Sequence, residues 1–153
     1  MAKAKLDENF VAKNIAAIIE KLGVSATAEV SRADNTFFID IASEDSPLLI
    51  GKNGSNLESL RFILAVRIKS LTGSNDFEIF IDVDNWRKHK EEKLKNMALS
   101  VAQKVVATGE PESFFNLKAF ERRVIHSALT DHPDVTTVSE GEGAGRYLII
   151  KPR

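Results

Sequence analysis

Cysteine is absent from this chain of 153 residues, which excludes a disulfide framework and every metal site built from thiolates. No apolar run reaches the roughly 18 residues that suggest a membrane-spanning helix. Residues 1–5 lead into an amphipathic segment rather than into the apolar centre of a signal peptide. The sequence therefore predicts a cytoplasmic protein that does not use a membrane.

Sequence signatures of catalysis are missing as well. The chain contains neither the phosphate-binding loop G-x-x-x-x-G-K-S/T nor the zinc-protease pattern H-E-x-x-H. Its histidines, His89, His126 and His132, are too few and too scattered to predict a metal site. Asp82 and Asp84 fall at the end of a predicted strand, where solvated carboxylates are common without any nuclease metal. We therefore expect no enzymatic activity, no cofactor and no bound metal.

A strong basic excess is also lacking. The net charge is −1, whereas nonspecific polyanion binders usually carry a basic excess. Residues 1–84 hold 9 Lys and Arg against 13 Asp and Glu, and residues 85–153 hold 12 against 9. In the first half, four basic residues lie on or beside one predicted helix: Lys52, Arg61, Arg67 and Lys69. Such a cluster can mark a binding site, although it more often forms a solvated helix face.

Two glycines separated by two residues form the strongest functional signal, in the stretch Ile50-Gly51-Lys52-Asn53-Gly54-Ser55. Glycine has no Cβ, so the backbone can adopt positive φ and a sugar-phosphate chain can lie against it. The free amides that open the following helix, together with its dipole, favour anionic oxygens beside Lys52. A GxxG loop that clamps nucleotide backbone is typical of the KH module. Taken alone, the same pattern is equally consistent with an ordinary tight turn.

The segments around this loop favour the KH interpretation. An apolar stripe predicts a first helix that begins near Asp7 and ends at Gly23, and alternation predicts strands over residues 26–32, 36–42 and 77–83. The stripe consists of Phe10, Val11, Ile15, Ile18, Ile19 and Leu22. The helix after the loop has its predicted buried face at Leu57, Leu60, Leu64, Ile68 and Leu71. The resulting order of helix, strand, strand, GxxG helix and strand is that of a KH core.

A second set of elements follows residue 84. Residues 86–108 predict a long helix that stops at Gly109-Glu110-Pro111. Residues 118–130 predict another helix, and residues 135–139 and 146–151 predict two strands. The long helix has its predicted apolar side at Leu94, Met97, Val101, Val105 and Val106. A short strand is predicted at Phe114, Phe115 and Leu117. The boundary between two small domains is therefore predicted near residues 83–86.

Arg122 and His126 are four residues apart on the second of these helices, so they share one face and can address one ligand. Arginine offers a permanent forked donor for phosphate, and histidine can hydrogen-bond a phosphate or a base or stack on a base. The alternative is a helix-surface pair in which the histidine is partly packed. The spacing alone favours that alternative.

The combination of these motifs resembles the Jag family of bacteria, the SpoIIIJ-associated proteins also called KhpB or EloR. The resemblance is carried by the GxxG helix, by Glu121-Arg122-Arg123-Val124-Ile125-His126 and by the residues that follow this helix. Those following residues are Thr136-Thr137-Val138-Ser139-Glu140-Gly141-Glu142 and Arg146-Tyr147-Leu148-Ile149-Ile150. Many members carry a further domain and a linker before these modules, and the printed sequence starts almost at the first predicted helix.

The resemblance implies an α+β protein with a type II KH domain over residues 1–84 and a small α/β domain over residues 85–153. We call the second domain the R-3-H domain, after the arginine and histidine that three residues separate. It further implies binding of single-stranded RNA, with single-stranded DNA as the alternative, and action in post-transcriptional regulation linked to cell elongation or division. The implied RNA-binding residues are Gly51, Lys52, Asn53, Gly54, Arg61, Arg122, Arg123, His126 and Arg146. A protein-interaction module that pairs with another KH protein is the competing interpretation.

Overall fold

The computed structural model describes residues 4–153, so the first three residues of the N-terminal segment considered above lie outside the described residues. The chain divides into two compact units, the first ending at Trp86 and the second beginning at Arg87. Each unit contains a three-stranded sheet with helices packed on it. The predicted α+β class is confirmed. Within the described residues, no helix combines the length and the apolarity needed to cross a bilayer.

The first unit contains two helices and three strands in the predicted order, with the short helix α2 (Ser46–Ile50) added. The elements are α1 (Glu8–Lys21), β1 (Ala26–Ala33), β2 (Thr36–Ser43), α2 (Ser46–Ile50), a 3₁₀ turn (Lys52–Gly54), α3 (Ser55–Thr72) and β3 (Glu78–Val83). β2 is the central strand, antiparallel to β1 and parallel to β3. The segment from α2 to α3 is therefore the crossover that joins two parallel strands.

Local residues account for the ends of α1. The Asp7 carboxylate accepts a hydrogen bond from the Phe10 backbone N–H at 2.9 Å and so caps the start of the helix. Gly23, with φ +70°, turns the chain after the last turn, and its N–H donates to the Glu20 carbonyl at 3.0 Å. Both ends fall where the sequence predicted them.

The core of the first unit lies between one face of the sheet and helices α1 and α3. Its largest fully buried side chains are Phe37, Ile15, Ile39, Leu57, Leu64, Ile68 and Ile81. Two predicted core positions are wrong, because Leu22 and Leu71 are exposed. Leu22 follows the last residue of α1, and the buried face of α3 continues from Ile68 to Thr72, one full turn on, rather than to Leu71.

The opposite face of this sheet carries no helix of the core and is rich in carboxylates. Glu29, Asp40 and Asp82 occupy one register row across the three strands, since Asp40 pairs with Glu29 on β1 and with Asp82 on β3. Phe38 and Phe80 form the next row, with ring centroids 5.8 Å apart and ring planes tilted by 52°. We call these five residues the acidic row face.

The second unit contains α4 (Trp86–Thr108) from its second residue onward, β4 (Glu112–Phe114), α5 (Ala119–Leu129), β5 (Val135–Glu140) and β6 (Tyr147–Pro152). β6 is the central strand and is antiparallel to both β4 and β5. Phe115 and Leu117 lie outside β4, contrary to the prediction, because Asn116 adopts φ +60° and turns the chain away from β6.

The buried side of α4 also differs from the prediction. Ala98, Ala102 and Val105 are fully buried and Leu94 is nearly so, whereas Val106 is exposed and Met97 and Val101 are half-buried. Small side chains let a helix approach its neighbours closely, so the alanines mark the side of α4 that faces the core. The predicted buried side of α4 was based on the larger apolar residues, so it is rotated around the helix relative to the observed buried side.

Candidate nucleic-acid interface

The two predicted glycines form a tight turn with an unusual backbone. Gly51 has φ +70° and ψ −176°, Asn53 has φ +53° and Gly54 has φ +78°. Positive φ is costly for residues with a Cβ, least so for asparagine and aspartate, and free for glycine. The Gly51 N–H donates to the Pro47 carbonyl at 3.0 Å, which joins the turn to α2.

Packing is a second reason why positions 51 and 54 are glycine, and the sequence did not reveal it. A Cβ on Gly51 would lie 2.5 Å from Cγ of Asn56, and a Cβ on Gly54 would lie 2.6 Å from the ring of Trp86. Asn56 in turn donates from Nδ2 to the Leu48 carbonyl at 2.8 Å. Trp86 therefore supports the turn from behind, although the sequence indicated only that it starts a helix.

The surface of the turn is open and locally cationic. The Lys52 side chain is exposed, while its backbone carbonyl accepts the Ser55 N–H inside the turn. α3 starts directly after Gly54 with no side-chain cap, so its first backbone amides have no side-chain acceptor. A phosphate here would meet amide donors, the positive end of the helix dipole and the Lys52 ammonium.

The other basic residues of α3 are not all part of this surface. Arg61 pairs with Glu58 at 3.1 Å and lies about 9 Å along the helix from its first residue. The Arg67 Nε donates to Oδ1 of Asn14 at 2.6 Å, so Arg67 fastens α3 to α1. Of the four basic residues noted in the sequence, the structure places only Lys52 at the turn.

In the second unit, Arg122 and His126 both contact neighbouring elements. Arg122 is half-buried and donates from Nη1 to the Leu117 carbonyl at 2.5 Å. His126 is exposed, and its Nδ1 lies 2.5 Å from Oγ1 of Thr137 on β5. Arg123 is exposed beside them. The arginine of the motif therefore holds the loop before α5, while Arg123 and the rest of the His126 ring are open to solvent.

Arg146 is exposed just before β6, and its backbone N–H donates to the Gly143 carbonyl at 3.3 Å. No contact joins it to Arg122 or His126, so its place in one patch with them stays a prediction. Within residues 4–153, no three His, Asp or Glu side chains converge as metal ligands.

Glu121 was missed as a site-supporting residue, although its place three residues after Lys118 is the spacing of a helix-start contact. It is only 8% exposed and contacts Nζ of Lys90 at 2.6 Å. Burial alone would raise the pKa of Glu121. The hydrogen bonds from Lys90 and from the Lys118 backbone N–H, with the charges of both lysines, outweigh burial and lower the pKa.

Comparison with known proteins bears on the second unit most directly. A family model of the R-3-H domain matches residues 92–152, which include Arg122, Arg123, His126 and Arg146. The RNA-binding protein KhpB of Lactiplantibacillus plantarum is 31% identical over 137 residues, which are 90% of this chain and 42% of that protein. The chain is therefore similar to KhpB proteins over most of its own length.

Two further relatives with the same name agree with this result. KhpB of Clostridium symbiosum is 30% identical over 145 residues, covering 95% of this chain and 62% of that protein. KhpB of Bacillus subtilis is 27% identical over 135 residues, covering 87% and 64%. The chain thus spans about two fifths to two thirds of the length of these relatives. The family model confirms the predicted R-3-H domain, and the similarity to KhpB proteins agrees with the predicted resemblance to the Jag family.

Replacing Gly54 with alanine should destabilise the first unit more than the same change at Gly23. Both positions have positive φ, but only at Gly54 would the new Cβ collide with another group, the Trp86 ring. We expect a cost of about 1 to 2 kcal/mol for Gly23→Ala and a further 1 to 3 kcal/mol for Gly54→Ala. Urea unfolding measures both, and the fluorescence of Trp86, the single tryptophan, should shift in Gly54→Ala alone. Equal costs would show that Trp86 does not pack against the turn.

The stability of the second unit should fall with acid in a way that depends on Glu121. The unfolded chain binds the proton near the ordinary value of 4.5, whereas the lowered pKa keeps the folded carboxyl charged to lower pH. The stabilisation is therefore complete above about pH 4.5 and is lost as the pH falls through the folded pKa. Glu121→Gln should flatten this acid limb in urea unfolding measured as a function of pH. Glu110→Gln, at an exposed position, should leave the limb unchanged, and a limb equally steep in Glu121→Gln would contradict the assignment.

Proposed function

We propose that this chain binds single-stranded nucleic acid, RNA in the first place, through the GxxG turn of the first unit and the Arg123–His126 surface of the R-3-H domain. On this proposal, residues 1–84 form a type II KH domain. The order of its elements, the parallel pairing of β2 with β3 and the position of the turn before α3 support the proposal.

The main support for this proposal is the geometry of the GxxG turn. It combines glycines at positive φ, an exposed lysine and uncapped helix amides within four residues. Each of these features favours the approach of a phosphate backbone, and together they match the way in which a KH loop clamps a strand. Arg61 is placed to meet the strand further along α3, after release from Glu58.

The relatives support the choice of RNA, because each is named as an RNA-binding protein. In the R-3-H domain, Arg123 and His126 are the exposed donors, and Arg146 adds positive charge near β6. Arg122 contributes by holding its loop. Its guanidinium can also turn toward a phosphate.

The cellular role that we propose is post-transcriptional regulation in the bacterial cytoplasm, in a process connected to cell elongation or division. This role rests on the family resemblance, and the proposed activity needs neither a cofactor nor a catalytic group.

Changing Lys52 and Asn53 together to aspartate should weaken binding of a labelled single-stranded RNA without unfolding the protein. Both side chains are exposed, and aspartate tolerates the positive φ of position 53. We expect a loss of about 1.5 to 3 kcal/mol, the scale of a hydrogen bond to a charged group, in fluorescence anisotropy titrations. The parent affinity should also fall as salt rises.

A matched control is available on the same helix. Lys69→Asp with Ser70→Asp changes the net charge equally at exposed positions near the other end of α3. If this control weakened binding as much as the turn variant, a general charge effect would explain both and the turn would not be the site.

A second candidate function has support from a different observation. Phe62, Ile63 and Val66 lie on the outer side of α3 and are 64%, 52% and 51% exposed. A continuous apolar helix face of this kind is a frequent protein interface. It favours pairing with another KH protein through α3.

Val66→Asp tests this candidate, because it places a charge in the middle of the apolar face and leaves the turn intact. Pairing with a second KH domain, or self-association in sedimentation experiments, should be lost while the affinity of the monomer for RNA stays unchanged. Lys69→Asp, on the same helix but outside the apolar face, should preserve pairing. Pairing that survives Val66→Asp would reject this face as the interface.

A further inference from the structure

An exposed pair of stacked aromatic rings lies in the second unit and has no part in the core. The rings of Phe115 and Tyr147 have centroids 4.9 Å apart and planes inclined by 27°. Phe115 is 61% exposed. Exposure of a large aromatic ring to water is unfavourable in free energy. A ligand that covers the ring would remove this cost.

The segment that carries Phe115 is fixed on both sides. Asn116, the next residue, adopts φ +60°, and the following Leu117 accepts the hydrogen bond from the Arg122 guanidinium at 2.5 Å. Lys118 is then held through its backbone N–H by Glu121 at 2.7 Å. Phe115 therefore lies in a short loop whose backbone conformation is defined by hydrogen bonds.

Tyr147 is held as firmly from the other side. Its hydroxyl donates to the Glu140 carboxylate at 2.9 Å, across the β5–β6 pairing. This hydrogen bond, and then the negative charge of Glu140, raise the pKa of Tyr147. The tyrosine ring thus supports the stacked arrangement and stays neutral at physiological pH.

The surrounding charge distinguishes the Phe115–Tyr147 pair from a second exposed aromatic pair, Phe38 and Phe80. Phe38 and Phe80 are tilted by 52° and lie beside the three carboxylates of the acidic row face. Phe115 and Tyr147 are closer to parallel and belong to the basic half of the chain, with Arg146 directly before Tyr147. The three carboxylates repel a phosphate backbone at the first pair, whereas the second pair has one carboxylate, Glu140, and one guanidinium on the neighbouring residue, Arg146.

We propose that the exposed ring of Phe115 is a platform on which an unpaired base of a bound single strand stacks. This inference rests on the proposed function, since the stacked base would belong to the single strand that the chain is proposed to bind. Stacking on an aromatic side chain is tolerant of base identity. The platform would therefore add affinity without a strong sequence preference.

The test uses the full chain and an oligouridylate of about ten nucleotides with a single 2-aminopurine base, whose fluorescence falls when it stacks. Phe115→Ala should lower the affinity about 5-fold to 100-fold, as expected for the loss of one stacked base. At saturating protein it should also retain more 2-aminopurine fluorescence than the parent. Phe115→Trp, which restores an aromatic face, should recover both the affinity and the quenching.

Leu99→Ala is the matched control, because Leu99 is an exposed apolar residue of the same unit that has no aromatic ring. It should bind and quench like the parent. Phe115→Leu keeps an apolar side chain without the ring and serves if the alanine variant has a lowered melting temperature. It should lose quenching as Phe115→Ala does.

The two proposals fail in different ways. Tight binding by the parent with unchanged affinity and quenching in Phe115→Ala and Phe115→Leu would overturn the platform and leave the proposed function standing. Absence of binding by the parent to every oligomer tested would overturn both.

Discussion

The parallel pairing of β2 with β3 determines where the candidate binding turn can lie. Two parallel strands cannot be joined by a hairpin, so the chain must cross over between them. Here the crossover is made of α2, the 3₁₀ turn and α3, and the two glycines occupy its sharpest point. The core contacts of Leu57, Leu64 and Ile68 hold α3 on the sheet. The exposed position of Lys52 is a consequence of this packing.

The R-3-H motif shows how one pair of side chains can serve the fold as well as a surface. Arg122 reaches back to the loop before α5, and His126 reaches across to β5. These two contacts fasten α5 to the elements on either side of it in the chain. Because a buried ion pair also joins Glu121 to Lys90, the same helix is tied to α4. The surface residue Arg123 is therefore presented by a helix with little freedom to shift.

Much of this architecture could be predicted from the sequence. The spacing of apolar residues indicates helices and strands, and residues such as aspartate and glycine mark the ends of helices. The ends of α1 at Asp7 and Gly23, the extent of α4 and the strand order around the turn all follow from such signals. The exposure of Leu71 and the burial of Ala98 and Ala102 did not, because they depend on which neighbour covers each side of a helix. The stack of Phe115 on Tyr147 joins residues far apart in the sequence, and no local pattern marks it. Trp86 behind Gly54 is a contact of the same long-range kind.

The acidic row face has a consequence for the path of any polyanion. Neighbouring strands are about 5 Å apart, so Glu29, Asp40 and Asp82 form a line of like charge with aromatic rings on one flank. Cross-strand repulsion of this kind costs stability and would be relieved by removing the central Asp40 carboxylate. The acidic row face therefore repels a phosphate chain. The first unit thus has an acidic sheet face and, at the GxxG turn, a locally cationic surface, although its net charge alone does not reveal this division.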